Sequence, residues 1–100
     1  MDITLQVYTG IWEDLEGFDT AEEAFKRIDE LKSIKGDIKG VYRLLFGEER
    51  LRSLPSKIMK SYEIPKDSVF IGSIMRPYGD EYYYRLPDGS FGYEYFSIGD

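Results

Sequence analysis

Between Ala21 and Leu31 the apolar residues Ala21, Ala24, Phe25, Ile28 and Leu31 fall at spacings of three and four, the period of one helix face. No other stretch of the chain constrains the fold as firmly. Asp19 or Thr20 is the expected N-cap, with Glu22 or Glu23 respectively at the third helical position. Lys32 and Lys35 complement the dipole at the far end, and Gly36 is a natural stop. Glu22–Lys26 and Glu23–Arg27 are placed as i,i+4 pairs. A helix over 20–35 follows.

The flanking segments have a different period. Ile3, Leu5 and Val7 alternate with Thr4, Gln6 and Tyr8, which predicts a half-buried strand over 3–8. Residues 41–46 are β-rich and mostly apolar and read as a central strand. Residues 9–17 suit either a turn or a short strand. Leu51, Leu54, Ile58 and Tyr62 recur at helical spacing, interrupted by Pro55, so a shorter or kinked helix is expected over 49–62 and ended by Pro65. The last third reads as a β-meander with strands at 68–75, 81–86 and 91–97. Its hairpin has two registers. A two-residue Asp88-Gly89 loop puts Tyr82, Tyr84, Leu86, Phe91, Tyr93 and Tyr95 on one face. A Pro87-Asp88-Gly89 loop with a bulge at Gly89 splits that set. The hydrophobic pattern favours the first register and the proline chemistry the second.

The expected fold is therefore α+β: a mostly antiparallel sheet of about five strands, with one long helix and a shorter or kinked second helix packed on one face. One domain over residues 1–100 fits the length. The strand–helix–strand opening suggests that strands 3–8 and 41–46 are neighbours, and parallel if joined by a right-handed crossover.

Charge is unevenly distributed. Residues 1–25 carry seven acids and no Lys or Arg, residues 26–66 hold eleven of the thirteen basic residues, and residues 67–100 are acidic again, for a net charge of −6. Such a layout bears on partners more than on chemistry. The basic residues are spread over several elements with acids between them, which reads as a solvated face, and the negative net charge opposes attraction to phosphate.

The residue inventory is narrow. There is no Cys and no His, which removes disulfides, thiolates, the commonest metal ligand and the commonest proton-transfer group. No GxGxxG, Walker loop, GxSxG or SxxK pattern occurs. A calcium loop with Gly17 at its sixth position would begin at Trp12, which cannot ligate the ion. No metal, cofactor or catalytic residue is assigned, and an enzyme is not expected. The N-terminus shows no secretory pattern, and no apolar run approaches the ~20 residues of a membrane span. A cytoplasmic location without membrane association is the expectation.

Two features point to binding. Six carboxylates lie within residues 13–23. Helix-dipole complementation accounts for Asp19, Glu22 and Glu23 but leaves Glu13, Asp14 and Glu16 without a structural reason. Trp12, the only tryptophan, sits among them, as a lid on the core or as an interface anchor. Six of the nine tyrosines fall between Tyr78 and Tyr95, and at least one of Tyr82 and Tyr83 must point away from the core. Trp12, Glu13, Asp14, Glu16 and Tyr83 are thus the candidate partner-binding residues. The expected function is a non-catalytic acidic protein-binding module. By analogy of size and charge, it resembles inhibitors of the toxin-immunity or phage counter-defence type, occluding a basic groove on a nucleic-acid-handling partner. The alternatives are a single-stranded nucleic-acid binder stacking bases on the Tyr-rich hairpin, or a structural subunit of a larger assembly.

Overall fold

The computed structural model describes residues 2–97, so Met1 and residues 98–100 lie outside the described residues. The architecture is α+β, with seven strands and two α-helices among the described residues. The strands form two sheets rather than one of about five, a three-stranded sheet of order β2-β1-β3 and a four-stranded sheet of order β4-β7-β6-β5. Contacts divide the chain into two compact units, Met1–Phe46 and Gly47–Asp100.

In the first unit, β1 (Ile3–Tyr8) turns through residues 9–11 into β2 (Trp12–Phe18). The segment over 9–17 is therefore mostly strand. Glu, Asp and Gly are poor strand formers, so β2 owes its conformation to pairing with β1. The ladder runs from Ile3 opposite Phe18 to Tyr8 opposite Trp12, and a bulge at Leu15 interrupts it. Helix α1 (Ala21–Lys35) follows, and Thr20 is its N-cap, its hydroxyl accepting the Glu23 N–H at 3.2 Å. The Gly36 N–H closes the other end on the Lys32 carbonyl at 2.8 Å, with the glycine at φ +81°. Arg27 pairs with Glu16 at 3.2 Å and Glu30 at 3.6 Å, while Glu23 is engaged with Thr20, so the expected Glu23–Arg27 pair gives way to these contacts.

β3 (Tyr42–Phe46) pairs antiparallel with β1. Neighbours they are, but not parallel. The β2 hairpin reverses the chain once before the helix, so the crossover joins β2 to β3 and skips over β1. Ile3, Leu5, Phe18, Leu44 and Phe46 are buried on one sheet face, and Ala24, Ile28 and Leu31 of α1 are buried with them. Complete burial of an aliphatic side chain of this size contributes about 1.5–3 kcal/mol. Phe25 stacks on Phe46 with centroids 5.6 Å apart.

In the second unit, α2 is only Glu48–Ser53. Pro55 lacks an N–H and biases the preceding residue toward extended backbone. Leu54 sits at ψ 144° as predicted by that rule. The expected helix over 49–62 therefore ends early. Ser56–Ile58 becomes β4, parallel to β7, and a one-turn 3-10 helix follows at Ser61–Glu63. β5 (Val69–Arg76), β6 (Gly79–Arg85) and β7 (Phe91–Ser97) form the meander.

The hairpin adopts the three-residue loop. The Leu86 N–H bonds the Ser90 carbonyl at 2.8 Å, the Gly89 N–H bonds the Leu86 carbonyl at 2.9 Å, and Gly89 has φ +89°. The Asp88 carboxylate accepts both the hydroxyl and the backbone N–H of Ser90, and these bonds hold its pKa below the ordinary value. The two-residue register is thereby corrected: local turn chemistry outweighs collecting six apolar residues on one face.

Candidate binding surface around Trp12

The bulge at Leu15 decides how the acidic segment is displayed. Simple alternation would align Trp12, Asp14, Glu16 and Phe18 on one face. With an extra residue inserted, Trp12 and Asp14 lie opposite Tyr8 and Gln6, whereas Glu16 and Phe18 lie opposite Leu5 and Ile3. Glu16 is thus turned toward the helix side, where it meets Arg27. Glu13, opposite Val7, shares that side and accepts the Thr9 hydroxyl. Glu13, Asp14 and Glu16 are all exposed, but they point to both sides of one edge strand and Glu16 is ion-paired.

The face of this sheet away from α1 carries the better-organised group. Arg43 of β3 lies opposite Gln6 of β1, and its guanidinium carbon sits 4.1 Å from the centroid of the Trp12 ring, a cation–π contact. Arg43 Nε donates to Gln6 Oε1 at 2.8 Å, and Gln6 Nε2 donates to Asp14 Oδ1 at 2.8 Å. The one glutamine of the chain therefore bridges a cation and a carboxylate. Tyr8 leans on Trp12 with centroids 5.2 Å apart and is 48% exposed. Partial burial lowers the Arg43 pKa from its ordinary value. Trp12 is half-buried, so it is neither a lid sealed into the core nor a free ring. Ile11 and Leu15, 68% and 52% exposed, add apolar surface to the same hairpin.

Tyr8, Gln6 and Arg43 were not singled out from sequence. Parity holds the available signal: Gln6 and Tyr8 occupy the polar-side positions of β1. Arg43 looked like one more member of a diffuse basic set.

Tyr83 belongs to the second unit and is not a surface ring. It is 6% exposed, stacks on Tyr93 at 5.1 Å and donates its hydroxyl to Glu81 at 3.0 Å. This corrects its expected role as an outward anchor. The pleat sends Tyr82 and Tyr84 to the opposite face, where both are half-buried. There Phe70 meets Tyr82 at 6.3 Å and Tyr84 at 5.8 Å, and Tyr82 meets Phe96 at 5.4 Å. The Tyr84 hydroxyl is bonded to Glu94.

Among the described residues no group of three or more metal-ligating side chains comes together. No helix among them is long and apolar enough to cross a membrane. Comparison with known proteins returns no matching family model, no curated relative and no similar solved structure.

Proposed function

We propose that the protein is a non-catalytic binding module that engages a basic protein surface through the Trp12 face of its first unit. The observation that carries this reading is the contact of Trp12 with Arg43 and Tyr8 on the sheet face that α1 leaves uncovered. Trp, Tyr and Arg are the residue types that dominate interface energetics. A hydrogen-bonded chain through Gln6 and Asp14 holds the Arg43 guanidinium before any partner arrives, which lowers the ordering cost of binding. Asp14 and Glu13 supply steering toward a positively charged partner, an effect that salt screens. Tyr83, buried within its own unit, is not included in this proposal. Occlusion of a basic groove, as an inhibitor of a nucleic-acid-handling protein would achieve, is the mode that suits the net charge of −6. Absence of cysteine suits a reducing compartment, and the proposal places the protein in the cytoplasm.

The test is a paired capture from native lysate with wild-type protein and the Glu13→Lys/Asp14→Lys variant as baits, at low and high salt. The proposal expects a retained protein that high salt weakens and the variant loses. Retention of the same species, in equal amount, by both baits at both salts would refute it.

A second reading rests on the ring set Phe70, Tyr82, Tyr84 and Phe96, a platform suited to stacking single-stranded bases. Titration with short oligonucleotides at low salt separates the two. Absence of binding at about 100 μM removes the nucleic-acid reading, because even non-specific binders reach that range.

A further inference from the structure

On the face of the second sheet that carries Tyr82 and Tyr84, one cross-strand row joins Met75 of β5, Asp80 of β6 and Phe96 of β7. Met75 is paired with Asp80, and Asp80 with Phe96. Directly opposite residues share a face, with Cβ atoms about 4.5–5.5 Å apart. Asp80 thus stands between two apolar neighbours, and both are open, Met75 at 64% and Phe96 at 46% exposure. Tyr82, two residues along β6, projects from the same face. Its hydroxyl donates to Asp80 Oδ2 at a long 3.5 Å, and its ring meets Phe96 with centroids 5.4 Å apart. One carboxylate, two rings and a thioether therefore share one place on the sheet.

Charge on this face is one-sided around the row. Glu94, opposite Tyr82, is a second acid, bonded by the hydroxyls of Ser61 and Tyr84. Neither Asp80 nor Glu94 has a Lys or Arg partner among the described residues. Arg76, next to Met75 in the chain, belongs to the other face and pairs with Glu81 at 3.4 Å. Lys57, opposite Gly92, lies at the far end of β7, where its charge acts on Asp88. An ionised carboxylate accepts several hydrogen bonds, so Asp80 keeps capacity beyond the one from Tyr82.

We propose that this row docks an arginine side chain of a partner protein. The guanidinium pairs with Asp80 and lies against Phe96, and the methylene stem covers Met75. Arginine is selected because it joins an apolar stem to a planar cation that both stacks on rings and forks onto a carboxylate. Lysine offers a compact, strongly hydrated ammonium with no plane to stack. A purely apolar side chain would cover the Asp80 charge without pairing it. Phosphate is repelled by Asp80 and Glu94, so the inference competes with the base-stacking reading of the rings on this face. It is independent of the Trp12 face, since every residue it uses belongs to the second unit.

The experiment is an amide-shift titration of the full ¹⁵N-labelled chain at physiological ionic strength. The probes are a blocked glycine–arginine pentapeptide, its lysine and citrulline counterparts, and a short oligothymidylate. The arginine peptide is expected to give saturable shifts at residues 75, 80, 82 and 96 below about 10 mM. The lysine peptide is expected to bind several-fold more weakly, and the neutral citrulline peptide and the oligothymidylate not to saturate. Asp80→Asn keeps an acceptor for Tyr82 and is expected to weaken the arginine peptide roughly tenfold, the scale of a hydrogen bond to a charged group. Phe96→Ala is expected to weaken it several-fold. Glu49→Gln makes the same change of charge at an exposed position of α2 and is expected to leave binding unchanged. The proposal is overturned if the arginine peptide does not saturate by about 10 mM, or if any other probe binds as tightly. It is equally overturned if Asp80→Asn weakens binding no more than Glu49→Gln.

Discussion

A Cβ built on Gly79 would meet the Phe96 carbonyl oxygen and the Tyr95 hydroxyl at 2.5 Å each. One of these is backbone of the neighbouring strand and cannot step aside without opening the ladder. Gly92 faces a different neighbour, the Met59 sulfur, which is the far end of a flexible side chain. Gly79→Ala is therefore expected to cost about 1–3 kcal/mol, the range of overpacked sites, and Gly92→Ala clearly less. Urea unfolding of the two variants checks the order. Tyr83 and Tyr84 offer a second residue-level test. Burial pushes both phenols from the ordinary value of 10.0 up to about 12, aided at Tyr83 by the bond to Glu81 and at Tyr84 by the charge and bond of Glu94. The unfolded chain ionises these groups near pH 10 while the folded chain keeps them neutral. Their contribution to stability is thus complete below pH 10 and is lost as pH rises toward 12. Tyr83→Phe and Tyr84→Phe should each flatten the fall in stability between pH 10 and pH 12, measured by urea midpoints across that interval. An equally steep fall in both variants would contradict this assignment.

At the scale of elements, α1 was the most legible part of the chain. Its stripe, cap and stop are all local, and Thr20 and Gly36 do what their positions imply. Thr20→Ala removes the acceptor for the Glu23 N–H and is expected to cost about 1 kcal/mol. Thermal melting reads this as a fall of roughly 4–8 °C for a chain of this size. A change below about 1 °C would show that the cap bond contributes nothing. Elements specified by distant pairing were harder to read. β4 is three residues long, has too little length to show alternation, and depends on β7 more than thirty residues away. The helical spacing of Leu51, Leu54, Ile58 and Tyr62 ran across Pro55, and the proline won. Bulges are equally silent in a hydrophobic pattern. The one at Leu15 reverses the display of Glu16 and Phe18 relative to Trp12 and Asp14, which no period-2 reading anticipates. In the hairpin, the Pro87-Asp88-Gly89 turn carried the correct register while the apolar tally pointed the other way.

For the whole molecule, the α+β class followed from the mixture of periods, and the division into two sheets did not. Period-2 alternation is a property of each strand by itself, so three strands in Met1–Phe46 and four in Gly47–Asp100 leave the same local patterns as one larger sheet, apart from the three-residue β4. Of the five candidate residues, Trp12 and Asp14 share the face that Tyr8, Gln6 and Arg43 complete. Glu13 and Glu16 turn to the other side of the edge strand, and Tyr83 is buried. Linear clustering of charge thus did not foretell which of these residues share a face. The decisive measurement is the affinity of a captured partner for wild-type protein and for Trp12→Ala by titration calorimetry, with the Trp12→Ala fold verified by circular dichroism. The account predicts a loss of at least about 2 kcal/mol, roughly thirtyfold or more in Kd, as for a hot-spot residue. An unchanged Kd in a folded Trp12→Ala protein would contradict it.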